Sequence, residues 1–209
     1  MRKYLIAVAT IGCMTAGGAS AATFNGEFWD APANSIDGPD FLSQAIAQAA
    51  GAPTATFTST ALNYGNAGAN WAIGSLSDFL AADAGSIVGT NSANIQESVF
   101  RFTGFVSLNT GDNISVTSDD GFRLIIDGNT FLEYNGIRAP GSNSNANWAG
   151  PDGTYSMTMW FFEGNVTQVQ LLSNLGDYAV APVPVPAAGL LLLTGLGGMA
   201  ALRRRRKAA

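Results

Sequence analysis

The sequence predicts an all-β fold of antiparallel strands with one or two short helices, followed by a C-terminal hydrophobic helix. Three observations lead there. Of 209 residues, 47% are apolar, enough for one core, yet only 12% are charged and 25 are glycine, a composition of many short turns rather than long solvated helices. Residues 98–108 alternate, with Phe100, Phe102, Val106 and Leu108 on one face, Arg101, Thr103 and Ser107 on the other, and Gly104 in the gap. Farther on, the dipeptide Asp127-Gly128 sits between two runs of β-formers, as a two-residue hairpin turn requires.

Charge narrows the function classes. Two basic residues lie at the start and five at the end, so the centre has three arginines (Arg101, Arg123, Arg138) against all 15 acids, a balance of −12. Nucleic acid is therefore not an expected partner, because phosphate binding needs a basic face, whereas cations are. There is no histidine and one cysteine, Cys13, so neither a Cys/His zinc set nor a Ser-His-Asp or Cys-His constellation exists.

Taken in order, residues 1–21 read as a secretory signal: Arg2-Lys3, an apolar run over 4–11, then small residues ending Ala19-Ser20-Ala21, with cleavage after Ala21. Cys13 as a lipoprotein acylation site is the alternative, but no leucine stands three residues before it. Cleavage after Ala21 leaves a mature chain without cysteine, hence without disulfides. The domain expected over 22–176 opens with the aromatic strand 24–29. A helix follows, capped by Asp40, with Leu42, Ala45, Ile46 and Ala49 at helical spacing and Gly51 closing it. Residues 55–62 are rich in β-formers, and Ser75 with Asp78 three residues on opens a brief helix. After the strand at 98–108 and a turn at 109–113, Ile114 and Val116 carry the next strand into Ser118-Asp119-Asp120-Gly121, read as the mouth of a β-hairpin. The return strand is 130–134, residues 135–151 form a long aperiodic loop holding Trp148, and the last strands are 154–162 and 166–172 around the tight connection Glu163-Gly164-Asn165.

Residues 177–186 change to a Pro-rich extended linker. Beyond it, 187–202 are 16 uncharged residues that stop at Arg203-Arg204-Arg205-Arg206-Lys207. A full span takes about 20 residues, so 183–186 and snorkelling arginines must help, and the basic end stays cytoplasmic with the domain outside.

Adjacent acids repel each other unless a cation or backbone N–H groups sit between them. Two readings of Asp119 and Asp120 stand: a cation site, or caps that bond the turn's own backbone. Asp127 is the residue its turn demands. Trp148 either stacks on a sugar ring or plugs the loop onto the sheet. Catalysis is not expected, because adjacent carboxylates do not straddle a glycosidic bond at the roughly 5–9 Å that hydrolysis uses.

Two resemblances extend this reading. Val183-Pro184-Val185-Pro186-Ala187, a short apolar span and an arginine cluster resemble an exosortase sorting tail of the Val-Pro-Leu-Pro-Ala kind, with Val185 in place of leucine. This implies a bacterial membrane transpeptidase as processing partner and a transient inner-membrane anchor; the Asn-x-Ser/Thr triplets at Asn113 and Asn165 are then chance. Residues 23–176 resemble the PA14 family of β-sandwich domains through Asn25-Gly26-Glu27-Phe28-Trp29, the run 100–105, Ser118-Asp119-Asp120-Gly121-Phe122-Arg123-Leu124 with Ile126-Asp127-Gly128, and Phe161-Phe162-Glu163-Gly164. In that family's sugar-binding members, paired aspartates at this turn, often joined by a cis peptide, coordinate Ca2+ that holds sugar hydroxyls. The resemblance implies that role for Asp119 and Asp120. The family's asparagine ligand from a later loop corresponds to Glu163, with Asn165 two residues on. Together the two resemblances imply an exported surface or matrix module that binds polysaccharide through calcium; a structural envelope or biofilm-matrix protein is the alternative.

Overall fold

The computed structural model describes residues 23–37, 40–65, 74–164 and 167–181. The expected signal at 1–21, Asn165, the sorting motif Val183 to Ala187, the apolar run and the basic end lie outside the described residues. Among the described residues no helix is long and apolar enough to cross a membrane.

Among the described residues, eleven strands form two antiparallel sheets. The strands are β1 (Phe24–Asp30), β2 (Ala55–Ser59), β3 (Asn63–Tyr64), β4 (Val88–Gly89), β5 (Ser98–Leu108), β6 (Asn113–Asp119), β7 (Phe122–Ile126), β8 (Asn129–Tyr134), β9 (Asn143–Asn147), β10 (Gly153–Glu163) and β11 (Gln170–Ser173). The larger sheet runs β4-β2-β1-β5-β10-β7-β8 and the smaller β3-β11-β6-β9. The alternation read in β5 holds, since Phe100, Phe102, Val106 and Leu108 are all fully buried. Phe100 is the hub of the aromatic core, with its ring centroid 5.0 Å from those of Phe28 and Phe79 and 5.6 Å from that of Phe161. A fully buried ring of this kind contributes about 1.5–3 kcal/mol.

Helix α1 (Phe41–Gln48) starts where Asp40 accepts a hydrogen bond from the Ser43 backbone N–H (3.2 Å), and ends at Ala49, two residues before the expected Gly51. Its buried Leu42 and Ala45 join Trp29, Val99 and Phe162 in a second cluster, so α1 covers one end of the larger sheet. Helix α2 (Leu76–Leu80) has the capping box formed by Ser75 and Asp78. A third turn of helix, α3 (Leu175–Tyr178), precedes Ala179, which bridges Val106 of β5. Residues 177–181, read from sequence as linker, thus lie against the sandwich.

Two local readings change. The chain at 119–121 does not turn back on itself, because β6 belongs to the smaller sheet and β7 to the larger; this is a crossover between sheets, and the hairpin is the next one, β7–β8 around Asp127-Gly128. Both turn residues there have positive φ, 52° and 76°, as their types allow. The stretch 135–151 contains a strand, β9, that pairs with β6 along five residues. Its sequence Asn-Ser-Asn-Ala-Asn hides the strand period, because an edge strand with a polar side chain on both faces carries no apolar alternation.

Candidate metal centre

The site grows out of the two crossovers that join the sheets at one end of the sandwich. Along β6, Ile114, Val116 and Ser118 face inward, and the strand ends at Asp119, whose peptide bond to Asp120 is cis. Gly121 follows because nothing larger fits: a Cβ there would stand 2.6 Å from the Tyr134 carbonyl oxygen and against the Phe162 ring. Two backbone bonds, Asp120 N–H to Phe162 O (3.3 Å) and Phe162 N–H to Gly121 O (3.0 Å), fasten this crossover to the end of β10. The next residue of β10 is Glu163, and so the third acid arrives beside the first two.

Asp119, Asp120 and Glu163 are 3%, 0% and 0% exposed, and one carboxylate oxygen from each lies within 4.8 Å of the others. Asp120 is held from both sides: Oδ1 accepts the Arg138 backbone N–H (2.9 Å) and Oδ2 that of Gly164 (3.0 Å). Gly164 is itself wedged between two loops, since a Cβ there would meet Ile137 at 3.0 Å and the Ile36 carbonyl oxygen at 3.5 Å. Burial first, then the neighbouring Asp120 charge and its hydrogen bond, push the Asp119 carboxyl well above its ordinary value, while Arg138 pulls it back.

The Arg138 guanidinium lies over the Tyr134 ring at 4.5 Å and the Phe122 ring at 5.3 Å. Its Nε donates to Ser118 O (2.9 Å) and Oγ (3.2 Å), Nη2 to Ser118 Oγ (2.6 Å), and Nη1 to Ser144 Oγ (2.9 Å). Ser118 Oγ in turn donates to the Asp120 carbonyl at 2.5 Å.

The donor set fits a hard dication. Calcium takes carboxylate oxygens at about 2.3–2.6 Å, so two ligands on one ion stand up to about 5 Å apart, and the 4.8 Å spread of the three oxygens meets that limit. Zinc prefers nitrogen and sulfur, which the set lacks.

The structure brings Asp119, Asp120 and Glu163 together and leaves Trp148 elsewhere. Trp148 donates its backbone N–H to Asp112 O (2.8 Å), at the far end of β6 and therefore roughly 20 Å from the pair. There its ring meets Tyr155 at 4.8 Å and Phe131 at 5.7 Å, and its indole N–H and the Tyr155 hydroxyl both donate to Pro151 O. These rings close the opposite end of the core, beside a cavity of about 270 Å³. Arg138 and Ser144 were not among the site residues the sequence singled out, and Ser118 entered only as the first residue of the acidic stretch. The one available signal was that Arg138 is among only three central cations.

No protein-family model and no curated protein matches the chain. Solved structures do. The PA14 sugar-binding domain of an RTX adhesin is 24% identical, with a TM-score of 0.59 over 78% of this chain and 100% of that one. The PA14 domain of the MpAFP antifreeze protein is 18% identical, with a TM-score of 0.60 over 85% and 99%. The fold is that of PA14 domains. A third likeness, the epithelial adhesin 6 A domain of Candida glabrata solved with Galβ1-3GlcNAc, is 12% identical, with a TM-score of 0.52 over 80% and 90% of the two chains. At these identities the PA14 likeness concerns architecture alone.

Proposed function

We propose that the chain is an exported cell-surface or matrix module that binds carbohydrate, with calcium held by Asp119, Asp120 and Glu163. The observation that carries this is the convergence of three buried carboxylates at one end of a PA14 sandwich. Adhesin domains of the same fold, one of them solved with Galβ1-3GlcNAc, support a saccharide ligand. Held there by Asp119, Asp120 and Glu163, calcium would supply a hard Lewis-acid centre able to take further oxygen ligands such as sugar hydroxyls. The chain's own part is to aim the ligands: Arg138 and Gly164 N–H groups fix the Asp120 carboxylate, and the bonds between Phe162 and the crossover set Glu163 against it. In this reading residues 1–21 direct export. Residues 183–187 serve an exosortase-type enzyme, and 187–209 anchor the chain in the inner membrane before processing. Catalysis has no part in it.

A second reading, a structural envelope or matrix protein, is favoured by one observation: carboxylates 0–3% exposed suit an ion that staples two crossovers as well as one that meets a ligand. The test uses the full chain in detergent micelles. Calorimetry with calcium, on the native chain and on Asp119→Ala/Asp120→Ala, is expected to show binding that the double variant loses. Glycan-array binding is expected to disappear with chelator. Calcium binding with no glycan retained would install the structural reading, and no calcium binding at all would remove both the ion and the calcium-dependent ligand.

A further inference from the structure

Of the three central cations, two are engaged on the outer face of the larger sheet, Arg101 with Glu27 and Arg123 with Glu133 (2.8 Å). Arg138 is placed differently. It sits in the loop between β8 and β9, is half-buried, and each of its guanidinium hydrogen bonds goes to an uncharged oxygen of Ser118 or Ser144. Those bonds and the Tyr134 and Phe122 rings hold a full positive charge in place against Ser118, the residue that precedes Asp119, while the Arg138 backbone N–H bonds Asp120. A charge pinned in this way does not swing out when another cation arrives.

Taking the proposed calcium site as given, the geometry points to Arg138 as a built-in counter-cation that stabilises the carboxylate cluster before the ion binds and weakens calcium binding once it does. Three close carboxylates repel one another, and a fixed guanidinium beside them offsets part of that in the ion-free chain. The same charge repels an incoming dication. Affinity is thereby set towards the millimolar range typical of extracellular calcium modules, in which ligand charge count tunes the constant. Three carboxylates, one dication and one guanidinium sum to zero, so the loaded centre is neutral.

This role has a signature that a purely structural arginine lacks, because it moves two quantities in opposite directions. The experiment compares the full chain in micelles with Arg138→Met, which keeps an unbranched apolar stem on the rings, and Arg138→Lys, which keeps the charge. Melting is followed in chelator, and calcium affinity by calorimetry. Arg138→Met is expected to melt lower than the native chain in chelator yet bind calcium on the order of tenfold more tightly, with its melting point recovering in excess calcium. Arg138→Lys is expected to keep a calcium affinity within about threefold of native. If Arg138→Met binds calcium more weakly, or fails to fold even in saturating calcium, Arg138 only supports the loop and the inference is overturned. Tighter binding by Arg138→Lys as well would remove charge as the cause. If the native chain binds no calcium, the reading of the site itself fails, and the inference with it.

Discussion

Replacing Glu163 by Gln separates the cost of the acid cluster from its use. The change is nearly isosteric and removes one of three carboxylates whose oxygens lie within 4.8 Å. Two unit charges at that distance, at an effective dielectric constant of about 20, repel by about 3.5 kcal/mol. Asp119 already relieves part of this through its raised pKa, so the net gain for the ion-free chain is about 1–2 kcal/mol. For a domain of this size that is a rise in melting temperature of about 2–8 °C. Calcium affinity is expected to fall about tenfold or more, since the site loses a charged ligand. Thermal melts in chelator and calcium titration calorimetry, on the full chain and Glu163→Gln, read both. A lower ion-free melting point together with unchanged calcium affinity would refute the reasoning, for Glu163 would then be a structural acceptor and not part of a cation site.

The same geometry sets other outcomes. Because the folded-state pKa of Asp119 is raised above its ordinary value of 3.8, its contribution to stability is fully present below that value and declines as pH rises through the folded pKa. Melts of the calcium-free chain across pH should show this decline, and Asp119→Asn should flatten it. The sign reverses for the ion, which must displace that proton, so calcium affinity should increase with pH over the same window. Gly121→Ala puts a Cβ 2.6 Å from the Tyr134 carbonyl oxygen and is expected to cost about 1–3 kcal/mol in denaturant unfolding, with calcium binding impaired. Trp148→Ala is expected to cost about 1–3 kcal/mol by uncovering the far end of the core, yet to leave calcium affinity within error; a changed affinity would contradict the separation of the two ends.

How much of the molecule was legible in its residues depends on the range over which each feature is decided. The caps of α1 and α2 were, because an N-cap bonds an N–H only three residues on, as Asp40 does with Ser43 and Ser75 with Asp78. The inward face of β5 was, because strand period two writes itself into alternating side chains. The hairpin at Asp127-Gly128 was, because positive φ at both turn residues selects for those types. Strand β9 was not, since Asn143 to Asn147 are polar on both faces, and their pairing with β6 joins segments that are distant in sequence.

For the site, the sequence by itself determined the acid pair, the glycine after it and the absence of any histidine or second cysteine, and thereby the class of cation such a chain can hold. The family resemblance named Glu163 as a candidate; only the tertiary structure decided that its carboxylate lies buried against the pair, that Trp148 does not share its end of the sandwich, and that Arg138 is the charge set beside it. The reason is physical. Local dihedral preferences and short hydrogen bonds are properties of a few consecutive residues, whereas a buried carboxylate's partners are chosen by which strand ends the sheet topology brings together. Here that topology passes the chain between sheets at 119–121 and again after Glu163, so residues 44 positions apart in sequence, Asp120 and Gly164, come to share a hydrogen bond of 3.0 Å.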